Sequence, residues 1–318
     1  MPEILRLDGL LVKEEPAGFY GIDAVPVVGT DGLRLAKRMF NNIRVGYLWE
    51  NDRKETASGS IIPVKRGIAR GRTVRIEVFW EAKGAGIDAP PESRGLYIAG
   101  GLPEVDGTLM FDYGPVTSGT KGSATLYCYA AGKIYKVVGC RGRFDWPMLV
   151  GENIIHHFVM MGTMLTEPAT LTLPGITYDA TDPIALVNTA LAIGSWVPDW
   201  QSATLDLIGV DPQALTSGNI GPTSWTDGIA SIDFADVDPS FQIRARVPAL
   251  ATYDPYADKK ANTSRNLALT AGNTQFNRIK VLAAELAIKE PIGHADSDGY
   301  ADYDLNYQLV TGGILRFD

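Results

Sequence analysis

The chain carries three histidines, His156, His157 and His294, and two cysteines, Cys128 and Cys140, so few side chains are available as a base or nucleophile near neutral pH. Neither a GxSxG elbow nor an HExxH zinc pair occurs. His156 and His157 are neighbours in a strand-like run and point to opposite faces, which denies them a shared metal and fits core or interface histidines. The stretch 114–121 resembles a phosphate loop, but an extra residue separates Gly119 from Lys121 and no strand–loop–helix context surrounds it, so it reads as a turn. The stretch 296–304 has the aspartates of a calcium loop, yet Gly299 comes too early and no glutamate closes it. A turn entering the last strand is the reading there. Asp236 and Asp238 precede Pro239 as turn residues and are assigned no catalysis. The chain is thus expected to be no enzyme and to hold no cofactor or metal. Trp146, Trp196, Trp200 and Trp225 fall in or near expected loops, which keeps one alternative open: a β-sandwich module binding a carbohydrate or receptor at a virion or cell surface.

With 318 residues, 45% hydrophobic and 21% charged, the chain is globular and long enough to bury a core without disulfide or metal staples; length alone favours about two domains. The net charge of −8 disfavours a static grip on polyanions. Charge is uneven along the chain. Residues 1–160 hold 20 Lys and Arg against 18 Asp and Glu, and residues 161–318 hold 9 against 19, so the halves carry +2 and −10. Cys128 and Cys140 lack CxxC spacing and read as small buried hydrophobes in a reducing compartment. The first residues carry acids where a signal peptide needs an apolar core, and no apolar run of about 18 residues occurs, so a soluble chain is expected.

The elements that position these residues are mostly strands. In 73–81, Val74, Ile76, Val78 and Trp80 alternate with Arg75, Glu77 and Glu81, the period of a half-buried strand. Residues 124–130 and 133–139 flank Ala131-Gly132 as a hairpin. Residues 154–161 are apolar on both faces, as in a sheet covered on both sides. Phe241, Ile243, Ala245 and Val247 alternate with Gln242, Arg244 and Arg246, a basic face expected to meet acids locally or on a neighbouring chain. Residues 278–289 suit helix and strand equally. Helices are expected over 92–99, after Pro90-Pro91, and over 256–269, after Asp254-Pro255. Strand then helix then strands occurs twice, with strand starts offset by about 167 residues and helix closures by about 172, which predicts two related units split near Glu167-Pro168, as 1–167 and 168–318. Long polar connections, 50–72 and 209–236, precede the alternating strand in each unit.

This order of segments resembles the major tail tube protein of long-tailed bacteriophages in its longer, two-unit form. The carriers are Arg94-Gly-Leu-Tyr-Ile-Ala-Gly-Gly101, Ala124-Thr-Leu-Tyr-Cys-Tyr-Ala-Ala-Gly-Lys-Ile-Tyr135, Gly139-Cys-Arg-Gly-Arg143, Ala203-Thr-Leu-Asp206, Asp238-Pro-Ser-Phe-Gln-Ile-Arg244, Asn277-Arg-Ile-Lys280 and Asp296-Ser-Asp-Gly-Tyr300. A phenylalanine stands where the family has glycine before Asn277. The resemblance implies a mainly β fold with two tandem tail-tube-like β-barrel or sandwich units, each with one flanking helix and a long loop. It implies a virion tail component assembled in the bacterial cytoplasm, with trimeric pseudo-hexameric or hexameric rings stacked into a tube. Tape measure, tail terminator and distal tail proteins would be its partners, and double-stranded DNA would pass through transiently. The two connections would be ring-stacking loops, with Arg53, Lys54, Lys65, Arg66, Arg70 and Arg72 in the first and Asp211, Asp227, Asp233 and Asp236 in the second; opposite charges meeting between rings would set register. The acidic excess of the second half is expected to contribute to the bore and keep phosphate contacts weak.

Overall fold

A computed structural model describes residues 8–36, 42–50, 68–84, 90–106, 111–114, 121–178, 180–187, 189–216, 229–234, 236–274, 277–297, 299–311 and 313–317. The first half contains β1 (Gly9–Glu14), β2 (Gly32–Leu33), β3 (Ile43–Glu50), β4 (Ile68–Glu81), α1 (Arg94–Ala99), β5 (Glu104–Asp106), β6 (Phe111–Tyr113), β7 (Ala124–Ala130), β8 (Lys133–Leu149) and β9 (Ile155–Met164). The second contains β10 (Ala169–Thr170), β11 (Ala190–Ile193), β12 (Trp200–Asp206), β13 (Gln213–Thr216), β14 (Ile229–Asp233), β15 (Ser240–Arg246), α2 (Pro255–Ala261), β16 (Ser264–Thr274), β17 (Asn277–Ser297), β18 (Tyr300–Thr311) and β19 (Ile314–Phe317). The fold is mainly β and antiparallel. Among the described residues the large sheet stays open, so of the barrel or sandwich units expected from the resemblance the closed barrel is not formed. Its nearest approach to closure is the bridge Leu35↔Trp80, beside which the Ala36 N–H donates to the Phe79 carbonyl at 2.7 Å.

The alternating patterns translate directly into burial. Val74, Ile76, Val78 and Trp80 of β4 are fully buried, and Phe241, Ile243 and Ala245 of β15 nearly so. The β7–β8 turn is made by Ala131 and Gly132, both at positive φ (50° and 73°), which supplies the backbone twist that a two-residue hairpin requires. β9 runs between β8 and β4, with Phe158 and Met160 buried on one face and Val159 on the other. Residues 278–289 are strand within β17. Paired by β16, β18 and β19, the segment follows its neighbours rather than its alanine content.

The second helix is shorter than the expected 256–269. Asp254 caps it, accepting from the N–H groups of Tyr256 (3.0 Å) and Ala257 (3.1 Å), with Pro255 in the first turn. Asn262 then turns left-handed (φ 50°) and ends it. Beyond that point Leu267, Leu269 and Ala271 are buried at every second residue, a strand period that the helix expectation overlooked. The first helix spans 94–99 rather than 92–99, and Ser93 gives it no side-chain cap.

One pairing order occurs twice. β1 pairs β7, then β8, β9, β4 and β3 follow in turn. β11 pairs β16, then β17, β18, β15 and β12 follow in turn. In both series a helix lies in the chain between the fifth and the second strand of that order, β4 to β7 and β15 to β16. The sheet does not stop at residue 167. β12 pairs with the far half of β8 (Ser202↔Leu149 to Asp206↔Asp145), and β19 pairs with β6. The core is likewise continuous: Phe317, from the last strand, packs on Tyr97 and Tyr113 of the first half with ring centroids 5.4 and 5.9 Å apart.

Candidate functional site

The sequence directs attention to the two connections and to where their charges go. The first connection begins and ends as strand rather than loop, and the second holds strands within it. The first continues β3 to Glu50 and resumes in β4 at Ile68, paired Glu50↔Ile68. Arg53, Lys54, Lys65 and Arg66 lie outside the described residues. Arg70 and Arg72 are on β4, opposite Leu48 and Tyr47. The second connection contains the hairpin β13–β14, a two-stranded sheet of its own; Asp227 lies outside the described residues.

That hairpin is docked on the first half of the same chain. Ile232, fully buried, packs with Tyr20, Met161 and Ala214. The Ile232 N–H donates to the Tyr20 hydroxyl (2.7 Å), and the Arg141 guanidinium, stacked 4.2 Å over the Tyr20 ring, donates to the Ile232 carbonyl (3.2 Å) and the Lys121 carbonyl (2.8 Å). Burial raises the Tyr20 phenol well above its ordinary range, so it is a neutral hydrogen-bonding group. Lys121, which closed the phosphate-loop-like stretch, donates to Asp233 and to the Phe234 carbonyl, both at 2.7 Å. At the base of the connection Gly209 has φ 74°, and a Cβ there would lie 1.9 Å from the Asp238 carbonyl oxygen, so only glycine fits.

Asp211 joins a charged cluster across the line where the halves meet. Arg143 of β8 contacts Asp206 of β12 at 2.7 Å and Asp211 at 2.6 Å, and Arg75 of β4 donates to Asp211 at 2.8 Å. Asp206 stands directly opposite Asp145, and two like charges in that position repel. The protein answers on both sides. His157, stacked on Phe79 with centroids 4.4 Å apart, sits 2.8 Å from Asp145, while Asp206 accepts from the N–H groups of Gly209 (2.6 Å) and Ile208 (3.0 Å) as well as from Arg143. Burial pushes the Asp206 carboxyl upward against those partners. Burial works the same way on Asp211, but Arg75 and Arg143 outweigh it and hold that carboxyl below its usual range. This arrangement fastens β12 to β8.

Of the ten connection residues singled out from the sequence, Asp211 and Asp233 are thus engaged by cations of the first half, and these are Arg75, Arg143 and Lys121 rather than the six cations of the first connection. Asp236 is exposed. The sequence reading missed Arg75, Arg141 and Arg143, whose signal was present: each is a cation on a strand flanked by residues of the opposite face that are buried.

The remaining candidates have structural roles. His156 is fully buried among Trp80, Phe144 and Trp146, with Nδ1 bonded to the Tyr97 hydroxyl. His294 bonds the Tyr256 hydroxyl at 2.6 Å. Arg244 and Arg246 meet Asp304 (3.4 Å) and Asp199 (3.5 Å) within the chain, the local form of the expected pairing. Asp238 meets Lys289 at 2.8 Å. The stretch 296–304 is the β17–β18 turn, with Gly299 at φ 80°; β18 is followed by one more strand. Trp146 lies inside β8, fully buried, and is not the loop aromatic expected; Trp196 lies in the connection between β11 and β12, as expected, but is buried and stacked on Tyr253 at 4.3 Å. Trp200 opens β12 half-buried, and Trp225 lies outside the described residues. Cys128 and Cys140 are free, buried, and raised by burial above the ordinary thiol range. Among the described residues no three His, Cys, Asp or Glu side chains are grouped to hold a metal, and no helix is long and apolar enough to cross a membrane.

No protein-family model matches the sequence, and no curated protein matches it at a significant level.

Proposed function

We propose that this chain is a structural subunit of a bacteriophage tail tube, forming rings that stack into a conduit for double-stranded DNA. The observation that carries the reading is the repeated strand order. Two series of six strands, each with one helix at the same place, are joined edge to edge through β8 and β12 in a single chain. A chain whose halves are two quasi-equivalent units, 1–167 and 168–318, builds a six-unit ring from three copies. Its site of action would be the virion tail, with tape measure, terminator and distal proteins as neighbours, and the charged sides of 50–72 and 209–236 as contacts between rings.

The polar face of the sheet suits a passive role. Five of its cations are held against carboxylates: Arg75 by Asp211, Arg143 by Asp206, Arg244 by Asp304, Arg246 by Asp199 and Lys289 by Asp238. Cations spent in this way cannot release counterions from a phosphate backbone, so transit along such a surface costs little. Negative-stain microscopy of the concentrated chain tests the proposal. Hollow filaments or uniform rings are expected; a chain that sediments as a monomer at high concentration, with no rings in the images, overturns it.

A further inference from the structure

Exposed apolar side chains gather at both ends of β8. At its start, a strap of chain crosses the outside of the sheet: Thr170 pairs opposite Lys133, the Leu171 N–H donates to the Gly132 carbonyl (2.9 Å), and Leu173 and Ile176 pack on Tyr127, Tyr129 and Ile134 together with Val28. Val27, Leu171 and Tyr178, beside that packed cluster, stay exposed. At the other end of β8, the Gly151 N–H donates to the Leu186 carbonyl (3.1 Å) and the Leu186 N–H to the Glu152 carbonyl (2.8 Å). Val187 is thereby brought to the turn that carries Leu149 and Val150. These six side chains are each between 38% and 51% exposed. Each end also carries one exposed charge, Lys133 at the start and Glu152 at the finish, and neither has an ionic partner among the described residues.

We infer that the Leu149–Val150–Val187 end of one copy seats on the Val27–Leu171–Tyr178 end of the next, with Glu152 against Lys133. The inference rests on the stacked-ring reading for its occupant, a second copy, and adds to the two connections a contact with named residues. Apolar groups exposed in clusters mark interaction surfaces, and the opposite lone charges match each surface to the other rather than to itself. The receiving surface is prepared in advance. Asp31 accepts from the Val27 N–H (2.6 Å), and nearby Val25 is held at φ 51°, a strained conformation for a β-branched residue, with its N–H on Asp23 (2.9 Å). A loop already fixed in this way loses little freedom when a partner covers it. β8 has 17 residues, so its ends lie up to about 50 Å apart along the strand. Two different surfaces meet, which makes the contact head-to-tail, and copies joined through it are displaced along β8 as an open series.

Charge reversal in the full-length chain tests this. Lys133→Glu and Glu152→Lys each set two like charges face to face, and should cut the fraction of protein pelleting as filaments by about tenfold while rings persist in negative stain. The double reversal restores the pair with its signs exchanged, and should bring filaments back to near the parent level. Both positions are exposed, so the urea midpoint of dilute protein serves as the check that folding is unchanged. Filaments from both single variants at the parent level would overturn the contact and leave the ring reading standing. So would closed dimers in place of filaments, or a double variant no better than the singles. A parent chain that stays monomeric at every concentration would overturn the ring reading, and this contact with it.

Discussion

His156 makes the native state sensitive to acid in a way that can be isolated. The imidazole is fully buried in an aromatic cluster, and burial pushes its pKa down to about 3. In the unfolded chain the same group titrates near ~6.5. Below that pH the unfolded chain gains a proton that the folded chain refuses, so stability present at neutral pH drains away as pH falls toward 3. One proton corresponds to about 1.4 kcal/mol per pH unit, which makes the loss roughly 2–3 kcal/mol between pH 7 and 4.5.

The perturbation is His156→Gln, which keeps a group able to meet the Tyr97 hydroxyl but does not titrate. At pH 7 the variant is expected to be less stable than the parent, having lost ring contacts with Phe144 and Trp146, both 5.0 Å between centroids. Urea unfolding of dilute protein at pH 7, 6, 5 and 4.5, followed by tryptophan emission, gives both stabilities. Every other carboxylate and histidine is common to the two chains and cancels in the difference. That difference should move by about 2–3 kcal/mol in favour of the variant on going from pH 7 to 4.5. Parallel stability curves for the two chains would refute the argument, because they would mean that the folded protein accommodates the protonated ring.

Three further substitutions follow from the geometry. Glu15, 4% exposed, accepts from the N–H groups of Gly21 and Gly139 (both 2.7 Å), the Ser123 hydroxyl (2.6 Å) and the Thr125 hydroxyl (3.1 Å). Glu15→Ala orphans four donors and should cost about 3 kcal/mol or more in urea unfolding; a loss under about 1 kcal/mol would show the donors finding water. Gly209→Ala places a Cβ against the Asp238 carbonyl at positive φ and should cost upward of about 2 kcal/mol, visible as a lower urea midpoint, whereas an unchanged midpoint would mean that this backbone relaxes freely. Asp211→Asn removes an acid held below its usual range by Arg75 and Arg143; that stability exists above the unfolded pKa and disappears as pH falls through the folded one. Asp211 is 43% exposed, so the loss should be at most about 1 kcal/mol at pH 7, smaller in high salt, and absent near pH 2. A loss that persists at pH 2 would point to packing instead.

Most strands were legible because one face of each is buried and the other is wet. The alternation in 73–81 and 241–247 is the direct imprint of that asymmetry, and it carried the fold class. The helix beyond Asp254 was legible at its start, where capping is local, and misread at its end, because Asn262 reverses the chain with no proline or glycine to announce it. Long-range facts left little trace. Nothing local in Ile232 or Asp211 says that they rest on Tyr20, Met161 and Arg143, since those contacts span 68 residues or more of chain. The alanines of 278–289 are silent for a related reason: small side chains accept either backbone, and three neighbouring strands make the choice.

The halves also depend on each other in a way that bears on assembly. Phe317, near the C-terminus, completes an aromatic cluster built on Tyr97 and Tyr113, and Arg316 beside it grips Asp112 with two bonds of 2.6 and 2.7 Å. β19 is therefore a wall of the first half's core. A first half released before β19 arrives would expose that wall and the far edge of β8 together, both of which another chain could capture. Both are covered from within, by β19 and β12.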